Sequence, residues 1–153
     1  MESNREMDVD EFWKIISLIG QEALEECDDE EAVVAIVSEL STKSEAGIGQ
    51  FQEHLSQALY AIDGQKWIDE AGDSSGSGDG FLYARCYVVA RGKAYYSNVL
   101  ANPSSMPKSS DQWAESLLYV AGQAWAEVTG NDEEDYDRES TLSFESFSNE
   151  AQW

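Results

Sequence analysis

The sequence predicts an all-α fold, a single compact domain of about five to seven helices with an acidic C-terminal extension. Three observations lead there. Apolar residues recur three and four positions apart through most of the chain, the spacing of one helix face. Residues suited to helix starts stand just ahead of several of these runs. One segment, 81–90, has the aromatic and valine content of a strand, and no second such segment exists to pair with it. With 153 residues, 42% of them hydrophobic, the chain can build one core and is short for two. The domain is placed at residues 1–130 and the extension at 131–153.

Asp8 with Glu11 three residues later forms a capping-box pattern, and Phe12, Ile16 and Ile19 follow at helical spacing. This predicts a first helix over about 9–26. Asp28 with Glu31 repeats the signal ahead of Val33, Val37 and Leu40, a short second helix. Ser44 caps a third, with Ile48, Phe51, Leu55, Leu59 and Ile62 on one face. Gly47 and Gly49 loosen its first turn, since glycine costs about 1 kcal/mol against alanine in a helix. Trp67 and Ile68 form a helical turn, and residues 72–80 read as a loop. For 81–90 a buried helix is preferred, with Asp79 as N-cap and Gly92 past its end.

Another helix runs from Lys93 to about Ala101 and stops before Pro103, because the residue preceding proline avoids helical geometry. Trp113, Leu117, Val120, Ala121, Ala124 and Val128 then line a long last helix ending at Gly130. In the extension, Phe144, Phe147 and Trp153 predict docking or binding rather than a purely solvated tail.

Charge narrows the functions. Nine basic against 31 acidic residues give −22. Residues 1–31 carry −10 (12 acids, 2 bases), 32–130 carry −5 (11 and 6), and 131–153 carry −7 (8 and 1). Most of the excess lies at the two ends. Such a charge repels nucleic acid and anionic membrane, and draws basic partners. The plain alternative is a device for solubility. No stretch approaches the ~20 apolar residues of a membrane span. The first residues show no basic, apolar leader. Cys27 and Cys86 both read as helical and reduced, without metal-type spacing. A cytoplasmic location is expected.

Motifs for chemistry are sparse. Asp73, Ser75, Ser77 and Asp79 match positions one, three, five and seven of a calcium loop, with Gly78 at six. The twelfth position, which needs a bidentate Glu, is Ala84, so no metal site is expected. The glycines are not followed by the Gly-Lys-Ser/Thr of a phosphate cradle. His54, the single histidine, reads as a surface residue on the polar side of the third helix. Arg85 stands out, because a cation inside the apolar stretch needs a partner. A structural ion pair to Asp79 or Asp69 is expected. Trp67, Asp79, Tyr83 and Arg85 are the candidate ligand or partner site.

Phe12-Trp13 with Ile16, Trp67, Asp79-Gly80-Phe81-x-Tyr83-x-Arg85, Gly92-Lys93-x-x-Tyr96, Leu100 to Ser105 and Leu118 to Ala121 together resemble the bacterial domain-of-unknown-function family forty-two-forty. The resemblance covers about residues 8–126. The chain departs from the family pattern at Gly78, where the first Asp of a pair would stand, at Ala84 and at Tyr87. The resemblance implies domain boundaries and marks Asp79 and Arg85. It implies no activity.

Two function classes follow. The first is an acidic, non-enzymatic protein-binding module that neutralises a basic partner, such as an immunity or inhibitor protein acting on a toxin, nuclease or nucleic-acid-binding protein. It needs no cofactor. The second is a small-molecule or enzymatic pocket around Trp67, Asp79, Tyr83 and Arg85.

Overall fold

The computed structural model describes residues 7–137 and 140–153. Residues 1–6, where no leader is expected, and 138–139 of the extension lie outside the described residues. The helices are α1 (Val9–Ile16), α2 (Gln21–Glu25), α3 (Asp29–Ala32), α4 (Val34–Leu40), α5 (Glu45–Ala61), α6 (Gln65–Ile68), α7 (Gly78–Ala90), α8 (Lys93–Ala101) and α9 (Val120–Thr129). Six of these have seven or more residues, and the described residues contain no strand. The fold is all-α. No helix among the described residues is long and apolar enough to cross a membrane.

Three predicted starts are present as hydrogen bonds. Asp8 Oδ1 accepts from Glu11 N at 2.8 Å, Asp28 Oδ1 from Glu31 N at 3.2 Å, and Ser44 Oγ from Gly47 N at 3.1 Å. Each satisfies an amide that the first helical turn leaves without a partner. Gly130 ends α9 in the left-handed region at φ 74°, which glycine enters without a side-chain clash.

α7 is the centre of the molecule. From Gly80 to Ala90 every residue except Tyr83 is buried, so the helix has no solvent face. It packs against α5, α8 and the 3-10 segments Gly72–Gly76 and Glu115–Tyr119. α9 lies on α4 and α5, and α1 on the same pair. Phe12, Phe51 and Phe81 are almost wholly buried. Each such side chain contributes about 1.5–3 kcal/mol through burial.

Several expectations are corrected. The first predicted helix is two helices, interrupted at Ser17–Gly20, where Gly20 N donates to Ala32 O at 2.9 Å. Apolar spacing continues across the break, since Ile16, Ile19 and Leu24 are all buried. The second helix is likewise divided at Val33, whose φ of −98° and ψ of 1° leave the helical range. Cys27 is an exposed turn residue at φ 64°, whereas Cys86 is helical and buried. Ser77, not Asp79, caps α7 by accepting from Gly80 N at 2.9 Å.

The long last helix begins only at Val120. Ala114 N donates to Tyr83 O and Ser116 N to Asp29 Oδ2 at 2.8 Å, which takes both amides out of an α-helical ladder. His54 is half-buried, not at the surface: its ring lies 5.7 Å from Phe12 and Nε2 is 2.7 Å from Met7 O. Residues 140–153 dock along α5, which brings the extension over one end of α7.

Candidate functional site

The predicted site residues separate into two environments. Trp67 is buried, and its indole N–H donates to Val99 O at 3.0 Å. Arg85 is wholly buried. Asp79 is exposed and Tyr83 half-buried; both line a shallow hollow of about 170 Å³ with Leu82, Leu118 and Phe144. The Tyr83 ring stands edge-on to Trp113 at 5.4 Å. Burial, followed by the Glu115 and Asp79 carboxylates, holds the Tyr83 hydroxyl above its ordinary pKa.

The expected ion pair of Arg85 with Asp79 or Asp69 is absent. Asp69 accepts instead from Gln65 Nε2 at 2.7 Å. Arg85 Nη1 donates to Leu59 O at 2.9 Å, and Nη2 to Ser146 Oγ at 2.9 Å. Ser146 Oγ in turn donates a hydrogen bond to Gly78 O at 2.7 Å. The guanidinium lies over the Phe81 ring, 4.8 Å from its centre. Burial pulls the Arg85 pKa below its ordinary value, and the Asp63 carboxylate acts in the opposite sense. A guanidinium nevertheless stays charged in a protein.

Asp63, two residues past the end of α5, is also wholly buried. A carboxylate there opposes the negative end of the helix dipole. Three backbone amides of the extension compensate. Phe147 N reaches Oδ1 at 3.0 Å, and Ser148 N and Asn149 N reach Oδ2 at 2.8 and 3.0 Å. The carbonyls at the end of α5, which no helical amide can satisfy, are met from outside. Arg85 takes that of Leu59, Asn149 Nδ2 joins Asp63 N on that of Tyr60 at 2.9 Å, and Gln152 Nε2 takes that of Ala61 at 3.4 Å. This face is a closed polar junction.

A second, open feature lies between α4 and α9. Val33, Val34, Val37 and Ala126 line a hollow of about 540 Å³, with Glu30, Glu127 and Glu133 also on its walls. A neighbouring hollow of about 420 Å³ shares Glu30, Val33 and Gln123 with it and adds Asp29, Glu115 and Tyr119. Val34 is 54% exposed, a large apolar side chain left to water beside carboxylates.

A model of the family described as "Protein of unknown function (DUF4240)" matches residues 7–127. The chain belongs to that family. Neither a curated protein nor a solved structure matches it. Asp63, Arg85 and the apolar lining of the α4–α9 hollow all fall within the DUF4240 match, whereas the segment that closes over Arg85 follows it.

Sequence reasoning missed both Asp63 and the hollow. Asp63 gave no local signal, because its partners are 84 to 86 residues away. The hollow did leave one. Val33-Val34 with Ile36-Val37 supplies more apolar residues than one face of so short a helix can bury. The loop 72–80 becomes a 3-10 turn and the start of α7, and its Ser75 and Ser77 hydroxyls are engaged with Gly72 O and Gly80 N. Among the described residues, no cluster of three or more His, Cys, Asp or Glu is arranged to hold a metal.

Proposed function

We propose that the chain is an acidic protein-binding module that engages a segment of a basic protein along the α4–α9 hollow. The mode corresponds to an immunity or inhibitor protein that neutralises a toxin, nuclease or other nucleic-acid-binding protein by covering its cationic surface. One observation carries this reading: exposed Val34 and half-buried Val37 and Ala126 form an apolar strip beside Glu30, Glu127 and Glu133. An apolar strip alone would accept many partners, and carboxylates alone would serve solubility. Together they favour an amphipathic segment with Lys or Arg flanking apolar anchors. The net charge of −22 adds long-range attraction to the same class of partner. The alternative small-molecule or enzymatic pocket has weaker support, because Arg85 and Trp67 are engaged with backbone carbonyls while Asp79 faces solvent.

The test uses a synthetic helical peptide with leucines at positions i, i+3, i+4 and i+7 and lysines elsewhere. Its association should slow steeply as salt rises, since screening shortens the reach of charge to about 8 Å at physiological ionic strength. Backbone amide shifts should change at Val34, Val37 and Ala126. Shifts confined to the Asp79–Tyr83 hollow, or binding insensitive to salt, would refute this reading.

A further inference from the structure

We propose that the face formed by Asp63, Arg85 and the end of α5 is a peptide-binding site, filled in cis by residues 146–153, and that it takes the same segment from a second copy of the chain. This goes beyond the acidic hollow and does not rest on it. The receptor side lies wholly within the family match and the occupant wholly outside it. The occupant is held as a bound peptide would be. Three consecutive backbone amides converge on one carboxylate, one amide side chain caps Tyr60 O, and one hydroxyl joins Arg85 to Gly78 O.

Two glycines shape the seat. A Cβ at Gly64 would come within 2.7 Å of Gln152 Cβ and 3.0 Å of the Trp67 ring, so only glycine lets the segment approach there. A Cβ at Gly78 would lie 3.2 Å from the Phe147 ring and 3.7 Å from Ser146 Cβ.

The fit also has local costs, which ease release of the segment and so open the seat to exchange. Phe147 adopts φ 73°, in the left-handed region that non-glycine residues rarely occupy, and is 54% exposed despite its 4.6 Å ring contact with Trp153. Trp153 Nε1 and Arg85 Nε are buried with no hydrogen-bond partner among the described residues. Release would strip Asp63 of its three amide donors and Ala61 O of Gln152, while Tyr60 O would keep only Asp63 N. The site therefore demands refilling, and the segment it is shaped for is present on every copy.

The 3.7 Å separation at Gly78 and Ser146 is close to the mean Cβ–Cβ distance of a disulfide, about 3.8 Å. This permits a test in the full chain. Exposed Cys27 is first replaced by Asn, which tolerates its positive φ. Cys86 stays, since burial pushes its thiol up to about 12. Chains bearing Gly78→Cys and Ser146→Cys are then mixed and oxidised. A 78–146 disulfide between chains should form in a yield that rises with concentration. It should exceed by roughly tenfold or more the yield with Gly49→Cys, a control in open space, because docking raises local concentration. Excess peptide of residues 140–153 should suppress it.

Equal yields at 78 and 49 would overturn the proposal. So would no cross-link between chains while the double variant closes its own disulfide. Failure of the double variant to close would overturn the seat itself. A second measurement needs no new cysteine. The Phe147→Ala chain should take up labelled 140–153 peptide several-fold faster than the parent, and equal or absent uptake in both chains counts against exchange.

Discussion

Asp63 and Glu30 are both carboxylates beside helix ends, and their surroundings differ in nearly every respect. Asp63 is wholly buried, faces the end of α5 and accepts three amides beside Arg85. Glu30 is exposed at the edge of an apolar hollow. A buried charge must be matched by donors or its desolvation dominates, so Asp63 and Arg85 belong to the framework. An exposed carboxylate loses little by standing without a matched donor and remains available to a partner. The charge that looks unusual in sequence, Arg85, is therefore structural in large part, while the acids that look ordinary flank the surface proposed for binding.

The sharpest way to break this contrast is to remove Arg85. Arg85→Ala should destabilise the protein by about 3–5 kcal/mol in urea unfolding, from the cavity left and the stranded Leu59 O and Asp63. A loss below about 1 kcal/mol would mean that the junction is not structural. Asp63→Asn should cost less, about 1–3 kcal/mol, because one oxygen still accepts, while the charge is gone and the NH2 group faces at least one of the three amides. Hydrogen exchange at residues 147–149 should accelerate while the centre of α7 stays protected. Ser146→Ala should cost about 1 kcal/mol, a single neutral hydroxyl lost from the chain between Arg85 and Gly78.

The start of the docked extension adds a pH dependence. Burial would raise the Glu53 pKa, but bonds from the Thr141 hydroxyl and amide and from Gln57 outweigh it and hold the group below 4.5. A depressed carboxylate contributes stability that is fully present above its unfolded value and is lost as pH falls through the folded one. Titration followed by NMR should give a Glu53 midpoint below 4.5, with the Thr141 amide signal moving at the same midpoint. Glu53→Gln should abolish that transition. A midpoint at or above 4.5 would show that the extension does not engage Glu53 in solution.

How far the sequence could be read follows from the range of the forces. Helix starts depend on partners three residues away, so Asp8, Asp28 and Ser44 were legible. Arg85 was legible as buried, because nine apolar neighbours in the stretch 81–90 leave a helix no solvent face. Its partners were not, since Leu59 O and Ser146 lie 26 and 61 residues away and a backbone carbonyl carries no sequence signature. The break at Gly20 was hidden for a related reason. It is fixed by a hydrogen bond to Ala32 O, while the apolar period runs on through it. Aromatic residues in the extension predicted docking or binding, and the choice between them rests on groups spread over α5 and α7.

The smallest effect on stability should come from the hollow, and that makes it the cleanest test of the contrast. Glu30→Gln and Glu127→Gln change exposed carboxylates, so each should alter the unfolding free energy by no more than about 0.5 kcal/mol. If these acids steer a cationic partner, the association rate of the leucine–lysine peptide should nevertheless fall, and its salt dependence should flatten. Val34→Ser should act differently, speeding dissociation with little change in association, because it removes an apolar contact and no charge. Val34 is already half-exposed, so this change too should leave stability nearly unaltered. Peptide kinetics unmoved by all three substitutions would assign the acids of this face to solubility. Separation of the charge effect into association and the valine effect into dissociation would fix the hollow as a binding surface built from both.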